Sequence, residues 1–214
     1  VLEVYRGIVT ACWGGEKGNV KSINVNVGPF PVECNKAGEP VPDGFDWDMW
    51  LGPAPWAPYH PHRCSGSYNI DGTSWRSFKD YSGGGMTDWG AHHFGGATFA
   101  IDVRELEPEE VIFHNENGAK YATCRFPNGK LLHHNCPGRG NLDVEFAGGQ
   151  APAKPVPGYA GSGGIYGDFI DCVKTRKKPF RDIELAVHTA TVCHLFLIAY
   201  ELERSLKWDT VKQQ

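Results

Sequence analysis

The segment GGGMTDWGAHHF, residues 83–94, places an acid and a base at a spacing that suits proton transfer. Asp88 and His92 are four residues apart and share one face if the segment is a helix, with Thr87 or Asp88 as its N-cap. The helix dipole favours an anionic carboxylate and a neutral imidazole there. A neutral His92 can accept the hydroxyl proton of an alcohol while the carbon-bound hydrogen leaves as hydride, and Asp88 can orient the ring or hold a neighbouring hydroxyl. The preceding glycines let a ligand or another backbone approach closely.

Three other side chains are candidates for substrate binding. His93 lies on another face of the same helix, where a histidine packed in the core is the competing interpretation. Arg76 and Lys79 precede the glycines and can bind hydroxyls or a carboxylate. The alternative for both is a surface ion pair with Asp80, worth about 0.2–1 kcal/mol. Because the Asp-x-x-x-His motif is so short, the motif by itself favours a capped helix in which His92 is simply packed.

Two segments combine histidine and cysteine, HPHRC at 60–64 and HHNC at 133–136. Neither has the paired C-x-x-C spacing of a structural zinc site, so surface or packed side chains are the preferred interpretation and no metal is expected. The seven cysteines are an odd number without C-x-x-C pairs. They favour reduced thiols over a disulfide framework, which favours the cytoplasm and leaves the periplasm open.

The composition excludes some classes of partner. The 214 residues carry a net charge of −4 and are 41% hydrophobic, so we expect one domain, residues 1–214, with a sizeable core. No broad basic face is present to neutralise phosphates, so nucleic acid is not expected as a partner. The apolar runs are interrupted before the roughly 18 residues that a membrane span needs, so no membrane partner is expected.

Hydrophobic periodicity predicts an α+β fold. Residues 18–30 alternate apolar and polar side chains as a half-buried strand does. Asn-Gly and Gly/Pro turns separate four further strand candidates and predict an antiparallel meander. Apolar spacings of three and four predict two C-terminal helices, the second capped by Asp182. This order predicts an open-faced, mainly antiparallel sheet with helices packed on one face. The four strand candidates are EEVIFHN, AKYATCRF, GKLLHHN and NLDVEFAG.

Two glycine-rich segments need separate interpretations. Residues 34–64 are dense in Pro, Gly and Trp and predict a long loop that packs on something, since so many apolar rings do not suit a disordered linker. The cluster GYAGSGGIYG, residues 158–167, lacks the G-x-G-x-x-G spacing and does not follow a strand. It predicts a loop that leads into a helix rather than a dinucleotide site.

Three segments together resemble the C-terminal domain of the Gfo/Idh/MocA family of NAD(P)-dependent oxidoreductases, in particular its bacterial sugar-processing branch. The resemblance runs from about residue 18 to the end. It implies a two-domain enzyme in which a Rossmann domain, absent from this chain, carries NAD or NADP. No cofactor is then expected to bind this chain alone. The segments are FDWDMWLGPAPWAPYHPHRC, WRSFKDYSGGGMTDWGAHHF and GDFIDCVKTRKKPFRDIELAVHTATVCHLFLIAYELERSLKWD.

The resemblance also implies an activity on a sugar-like small molecule. The chain would be the substrate-binding half of an oxidoreductase acting on a hydroxyl of a sugar, polyol or glycoside, with His92 as proton acceptor and donor and Asp88 as its helper. The family's catalytic lysine has no counterpart, Gly95 stands where this branch commonly has an aspartate, and the first 17 residues fit poorly where a helix should lead into the first strand. Two alternatives stay open: an NAD-dependent glycosidase of the same family, and a stand-alone, non-redox carbohydrate-binding or oligomerisation module.

The strand candidates predict assembly through the sheet. Val111 and Ile112 point to opposite faces, as do Leu131 and Leu132, so both faces should be at least partly covered. Helices can cover one face, and a second subunit most simply covers the other, giving a homodimer or tetramer. The resemblance implies the same contact. The alternative is a monomer in which the Trp-rich loop, residues 43–64, folds over that face.

Overall fold

A computed structural model describes residues 2–66, 72–159 and 161–212, with side chains from residue 5 onward. Its contacts form two compact units. We call residues 1–26 with 91–214 the sheet unit and residues 27–90 the Trp-rich unit. The assignment of 1–214 to one domain stays a prediction.

The sheet unit contains a mixed, mostly antiparallel sheet of six strands, which confirms the predicted fold class. The strand order is β5-β1-β4-β3-β2-β6. Strands β2, β3 and β4 pair antiparallel as the predicted meander. The strands are β1 Val20–Val25, β2 Glu110–Glu116, β3 Ala119–Arg125, β4 Leu131–His134, β5 Asp143–Phe146 and β6 Leu206–Lys207.

The meander does not extend to β5, and this part of the prediction is wrong. Strand β1 lies parallel to β4, and β5 pairs antiparallel with the other edge of β1. The loop 135–142 connects β4 to β5 and is bonded to β1: Asn26 N–H donates to Asn141 Oδ1 at 2.9 Å, and Asn24 Nδ2 donates to the Gly140 carbonyl at 2.8 Å. Turn residues indicate where a strand ends, whereas its neighbour in the sheet depends on long-range pairing.

Three predicted helices are confirmed, and three further helices, two of them short, were not predicted. Asp182 caps α6, with Oδ1 accepting from the backbone N–H groups of Glu184 at 2.8 Å and Leu185 at 3.2 Å. The first residues, which fit the family pattern poorly by sequence, form helix α1 ahead of β1. The helices are α1 Leu2–Trp13, α2 Trp47–Leu51, α3 Pro61–Cys64, α4 Asp88–Ala100, α5 Gly164–Thr175 and α6 Ile183–Leu202.

Helices α4 and α6 pack on one face of the sheet, which we call the helix face. Phe94 of α4 and Phe196 of α6 have ring centroids 5.1 Å apart, and both rings pack on His134 of β4. All three side chains are fully buried. The strand residues of this face are also buried: Ile23, Val25, Val111, Ala122, Cys124 and Leu132.

The opposite face, which we call the open face, is more polar. Ser22 and Asn24 of β1 point to it and are nonetheless buried, because loop 135–142 folds over them. Arg139 of that loop donates to Ser22 Oγ at 2.9 Å. Ile112 and Leu131 are half-buried. The chain therefore covers part of this face itself, and the predicted dimer or tetramer stays a prediction.

Among the described residues, one helix is long and apolar enough to span a membrane by length and composition alone. It is α6, with a mean hydropathy of 1.5 over 18 residues. Single His and Glu residues interrupt its apolar sequence but hardly lower the mean hydropathy. In the structure α6 packs on β2 and β3. Its buried side chains include Val192, Leu195, Phe196 and Ala199. Ile183, Val187, Ile198 and Leu202 of the same helix are exposed.

The Trp-rich unit confirms that residues 34–64 pack into structure. Trp47 of α2 is buried, stacks on Trp50 with centroids 4.9 Å apart, and donates from Nε1 to the Ala57 carbonyl at 2.8 Å. Asp46 caps α2 by accepting from Met49 N–H at 2.9 Å. These contacts give the loop the apolar packing that its rings predicted.

Candidate functional site

Helix α4 carries the predicted catalytic pair. Asp88 is its first residue and His92 follows one turn later, so the helix predicted from the spacing is present. A carboxylate in this first turn interacts favourably with the helix dipole. The side chain of Asp88 is about a third exposed and His92 is exposed. The catalytic roles of the two residues stay predictions.

The glycines before α4 accommodate the chain's own backbone. Gly85 N–H donates to the Pro29 carbonyl at 2.8 Å. A Cβ on Gly85 would lie 2.3 Å from the Gly28 oxygen, and one on Gly84, whose φ is +62°, would lie 2.7 Å from Pro31 N. The sequence suggested that these glycines admit either a ligand or another backbone. The structure shows the close approach of another backbone.

Arg76 contacts the catalytic candidate rather than Asp80. Its Nε lies 3.6 Å from Asp88 Oδ2, and its guanidinium stacks on the Trp75 ring, 4.8 Å from the centroid. Its Nη1 also donates to the Gly66 carbonyl at 3.2 Å. The contacts hold the guanidinium beside the Asp88 carboxylate, where it can orient that group.

Lys79 lies apart from this pair. Its Nζ is 3.5 Å from Glu33 Oε1. Asp80 instead accepts from Arg63 Nη1 at 3.0 Å, and Arg63 is buried. The predicted alternative, an ion pair of Arg76 or Lys79 with Asp80, is therefore wrong, because a buried guanidinium holds that carboxylate.

His93 has a partner within the sheet unit. Its Nδ1 lies 2.8 Å from the hydroxyl of Tyr5 in α1. Burial lowers the pKa of His93, with the neighbouring His92 adding to the effect, and burial raises the pKa of Tyr5 to about 12. A neutral imidazole and a protonated phenol can share one hydrogen bond that joins α1 to α4. This contact favours the structural interpretation, and a role in substrate binding stays a prediction.

A cavity of about 290 Å³ lies beside His92 within the sheet unit. We call it the His92 pocket. Helix α4 contributes His92 and Gly95 to its lining, and the start of α6 contributes Asp182 and Thr189. A Cβ on the adjacent Gly96 would lie 2.4 Å from the Tyr5 ring, so glycine there lets α1 approach α4.

Two arginines of the His92 pocket were not among the predicted site residues. Arg104 lies against Phe99 and Phe180, with its guanidinium carbon 4.8 and 5.0 Å from the two ring centroids. Arg181 donates from Nε to Tyr159 Oη at 2.9 Å. Arg181 belongs to the basic run TRKKPFR, but no pattern in the sequence links that run or Arg104 to His92.

Asp182 contributes a carboxylate whose charge is already compensated. Burial tends to raise its pKa, but hydrogen bonds from the backbone N–H groups of Leu185 and Glu184 and from Lys178 outweigh this, and the pKa is lowered. Lys178 Nζ lies 3.2 Å from Oδ2. Asp182 therefore acts mainly as the cap of α6.

The histidine and cysteine segments do not converge on a metal site in the described part of the chain. No group of three or more His, Cys, Asp or Glu side chains is placed there to hold an ion. His133 and His134 point to opposite faces of the sheet: His133 Nδ1 is 2.9 Å from Thr123 Oγ1, and His134 Nδ1 is 2.8 Å from Tyr200 Oη. Adjacent strand residues cannot share one ion in this arrangement.

The described residues do not contain the glycine-rich turn of a Rossmann-type dinucleotide site. Such sites place a glycine-rich turn between a strand and a helix of a parallel sheet. Here the sheet is mostly antiparallel, and the cluster at 158–167 follows a loop and leads into α5, as predicted.

Residues 31–131 match the model of the oxidoreductase family, C-terminal alpha/beta domain. No curated protein sequence matches significantly. Among solved structures, an NAD-binding protein from Listeria innocua has a TM-score of 0.53 at 15% identity, over 96% of this chain and 60% of that protein. An oxidoreductase domain protein from Kribbella flavida has 0.49 at 14%, over 96% and 62%. An aldose-aldose oxidoreductase from Caulobacter crescentus, complexed with glycerol, has 0.47 at 13%, over 95% and 60%.

The structural similarity to the Listeria protein indicates a shared fold, and this chain spans about 60% of that protein's length. The family match covers the segment with Asp88 and His92. Residues 31–131 are therefore similar to the C-terminal alpha/beta domain of this oxidoreductase family.

Proposed function

We propose that this chain is the substrate-binding half of an NAD(P)-dependent oxidoreductase that acts on a hydroxyl of a sugar, polyol or glycoside. The observation that carries the proposal is the match of residues 31–131 to an oxidoreductase-family domain, because it includes Asp88 and His92. The nicotinamide, which accepts the carbon-bound hydrogen as hydride in this class of reaction, is bound outside the described residues in this proposal. The chain's own part is to bind the substrate and move one proton.

His92 is the proposed proton acceptor and donor. An exposed imidazole at the edge of a pocket can reach a substrate hydroxyl, and a base positioned in this way contributes about 10²- to 10⁴-fold to the rate. Asp88, one turn earlier on α4, is the proposed helper. Arg76 supports this role because its guanidinium beside Oδ2 fixes the direction of the carboxylate.

The size of the His92 pocket also supports a small substrate. Ligand pockets are typically about 300 to 1,000 Å³, and this cavity of about 290 Å³ lies just below that range. Its lining combines aromatic faces with polar and charged groups, a mixture that suits a ring bearing hydroxyls.

The decisive experiment uses the protein expressed from its natural reading frame, including whatever precedes Val1. We expect NAD⁺ or NADP⁺ to be reduced, followed as absorbance of the reduced nicotinamide, with at least one member of a panel of sugars, polyols and glycosides. His92→Ala should lower kcat by about 10²-fold or more. His194→Ala removes another exposed histidine and is the matched control. An unchanged kcat in His92→Ala would contradict the assignment.

Two further measurements separate this proposal from a stand-alone binding module. Calorimetric titration of the 214-residue chain with NAD(H) and NADP(H) should give no tight binding. A micromolar Kd would contradict the proposal that the cofactor is bound outside these residues. A Rossmann sequence directly upstream in the reading frame is expected. A start codon or an unrelated domain there would favour the stand-alone module.

A further inference from the structure

The His92 pocket carries more positive charge than proton transfer on a neutral sugar requires. Arg104 and Arg181 both line it. Among its described lining residues the carboxylate is that of Asp182, which caps α6 and lies beside Lys178. The two guanidinium charges therefore have no equivalent counter-charge within the pocket.

The ring contacts of Arg104 leave its guanidinium N–H donors available to a ligand. The rings of Phe99 and Phe180 contact the guanidinium. Stacking engages the face of a guanidinium, whereas its N–H donors lie in the plane and match the two oxygens of a carboxylate or phosphate. The neighbouring Glu105 Oε1 is 3.6 Å from Nη2, but that side chain is 75% exposed, so solvent screens this ion pair.

Arg181 supplies the second set of donors. Its hydrogen bond to Tyr159 uses Nε, and the terminal nitrogens are not needed for it. The contact anchors an otherwise exposed side chain at the pocket, which reduces the entropy lost when it binds a ligand.

Gly95 also lines the pocket and offers a position at which its charge can be changed. A Cβ at this position would meet Thr189 at 3.5 Å, an ordinary contact, so a side chain can start here without a clash. An aspartate at this position would add a negative charge to the pocket. In this chain glycine leaves the charge of Arg104 and Arg181 unopposed from that side.

We infer that the His92 pocket binds an anionic group of the substrate through Arg104 and Arg181, so that the substrate is a sugar acid or a sugar phosphate. The inference rests on the proposed function, because it takes the ligand of this pocket to be the molecule that His92 acts on. Carboxylate and phosphate share the oxyanion geometry that two guanidinium groups recognise. Separate titrations with a sugar acid and a sugar phosphate distinguish the two groups.

The first measurement is calorimetric titration of the chain with glucuronate, glucose 6-phosphate and glucose. At least one anion should bind about tenfold or more tightly than glucose, and its affinity should fall as NaCl is raised. Binding of glucuronate alone assigns sugar acids, and binding of glucose 6-phosphate alone assigns sugar phosphates. Binding of neither anion, or equal binding of all three, overturns the inference.

The second measurement removes the charges one at a time. Arg104→Met and Arg181→Gln should each weaken anion binding roughly 10- to 100-fold, and clearly more than they weaken glucose binding. Arg125→Gln removes an equal charge on β3, outside the pocket, and is the matched control. If the pocket variants lose no more affinity than Arg125→Gln, the inference is wrong.

A third pair of variants leaves both arginines in place. Gly95→Asp should weaken anion binding, whereas Gly95→Asn, of nearly equal size and without charge, should retain it. This pair keeps the test decisive if Arg104→Met loses its packing and fails to fold. Equal affinities of Gly95→Asp and Gly95→Asn would contradict the inference.

The two proposals fail in different ways. If the natural-length protein oxidises neutral sugars in a His92-dependent reaction without preference for anions, the proposed function stands and the anion site is wrong. If the chain binds anions through Arg104 and Arg181 but the natural-length protein reduces neither cofactor, the anion site stands and the redox function is wrong.

Discussion

The two faces of the sheet differ although their residues alternate along the same strands. On the helix face Leu132 is fully buried among apolar side chains, and His134 is enclosed by aromatic rings of α4 and α6. On the open face Leu131 is half-buried, and His133 bonds to Thr123 within a polar surface. The neighbours across the sheet, rather than the residue type, therefore decide what each leucine and histidine does.

The largest difference should appear when the two leucines are shortened. Leu132→Ala should lower the free energy of unfolding by about 2–5 kcal/mol, because it leaves a cavity under α4 and α6. Leu131→Ala should cost clearly less, since its half-exposed site can admit water. Urea denaturation of both variants measures the difference. Equal losses would show that the open face is packed as tightly as the helix face.

The next effect is a pH dependence of stability that comes from His133 on the open face. Burial lowers the pKa of His133 to about 4, and the charges of Arg139 and His114 add to this against the opposing effect of Glu145. The unfolded chain, with an ordinary pKa near 6.5, binds this proton first as the pH falls. The stability of the protein should therefore fall between about pH 6.5 and 4, by on the order of 3 kcal/mol from this residue.

The variant His133→Gln isolates this contribution. It should remove part of the pH dependence of the free energy of unfolding in that window. Above pH 7 the free energy of unfolding should vary with pH as it does in the original protein. Urea denaturation at pH 7.5, 5.5 and 4.5 measures both. A variant with an unchanged pH slope would mean that His133 is protonated normally in the folded chain.

The smallest effect on folding should come from charge on the open face, where the predicted assembly has its contact. Ile112→Glu should change stability little within one chain but halve the mass in light scattering if dimers form there. Ile183→Glu places the same charge on the exposed start of α6 as a control. A mass near 23.6 kDa for the original protein at all concentrations would contradict the assembly.

Local patterns in the sequence were sufficient for most elements. Periodicity located β1 to β5 approximately and α4 to α6, and Asp182 marked the start of α6. These features depend on side chains a few residues apart, and such interactions act before the fold is complete. Helix α1 was missed, and short helices α2 and α3 were included in a predicted loop, because Pro, Gly and Trp dominate that segment.

The candidate site likewise combines features that the sequence predicted with features that only the structure revealed. The sequence by itself determined that Asp88 and His92 lie one turn apart on α4, because the spacing and the helix are both local. Only the tertiary structure decided that β1 lies between β4 and β5, that Arg76 contacts Asp88, and that Arg104 and Arg181 share a pocket with His92. These neighbours come from distant parts of the chain. Their proximity depends on strand pairing and helix packing, which no short window of residues encodes.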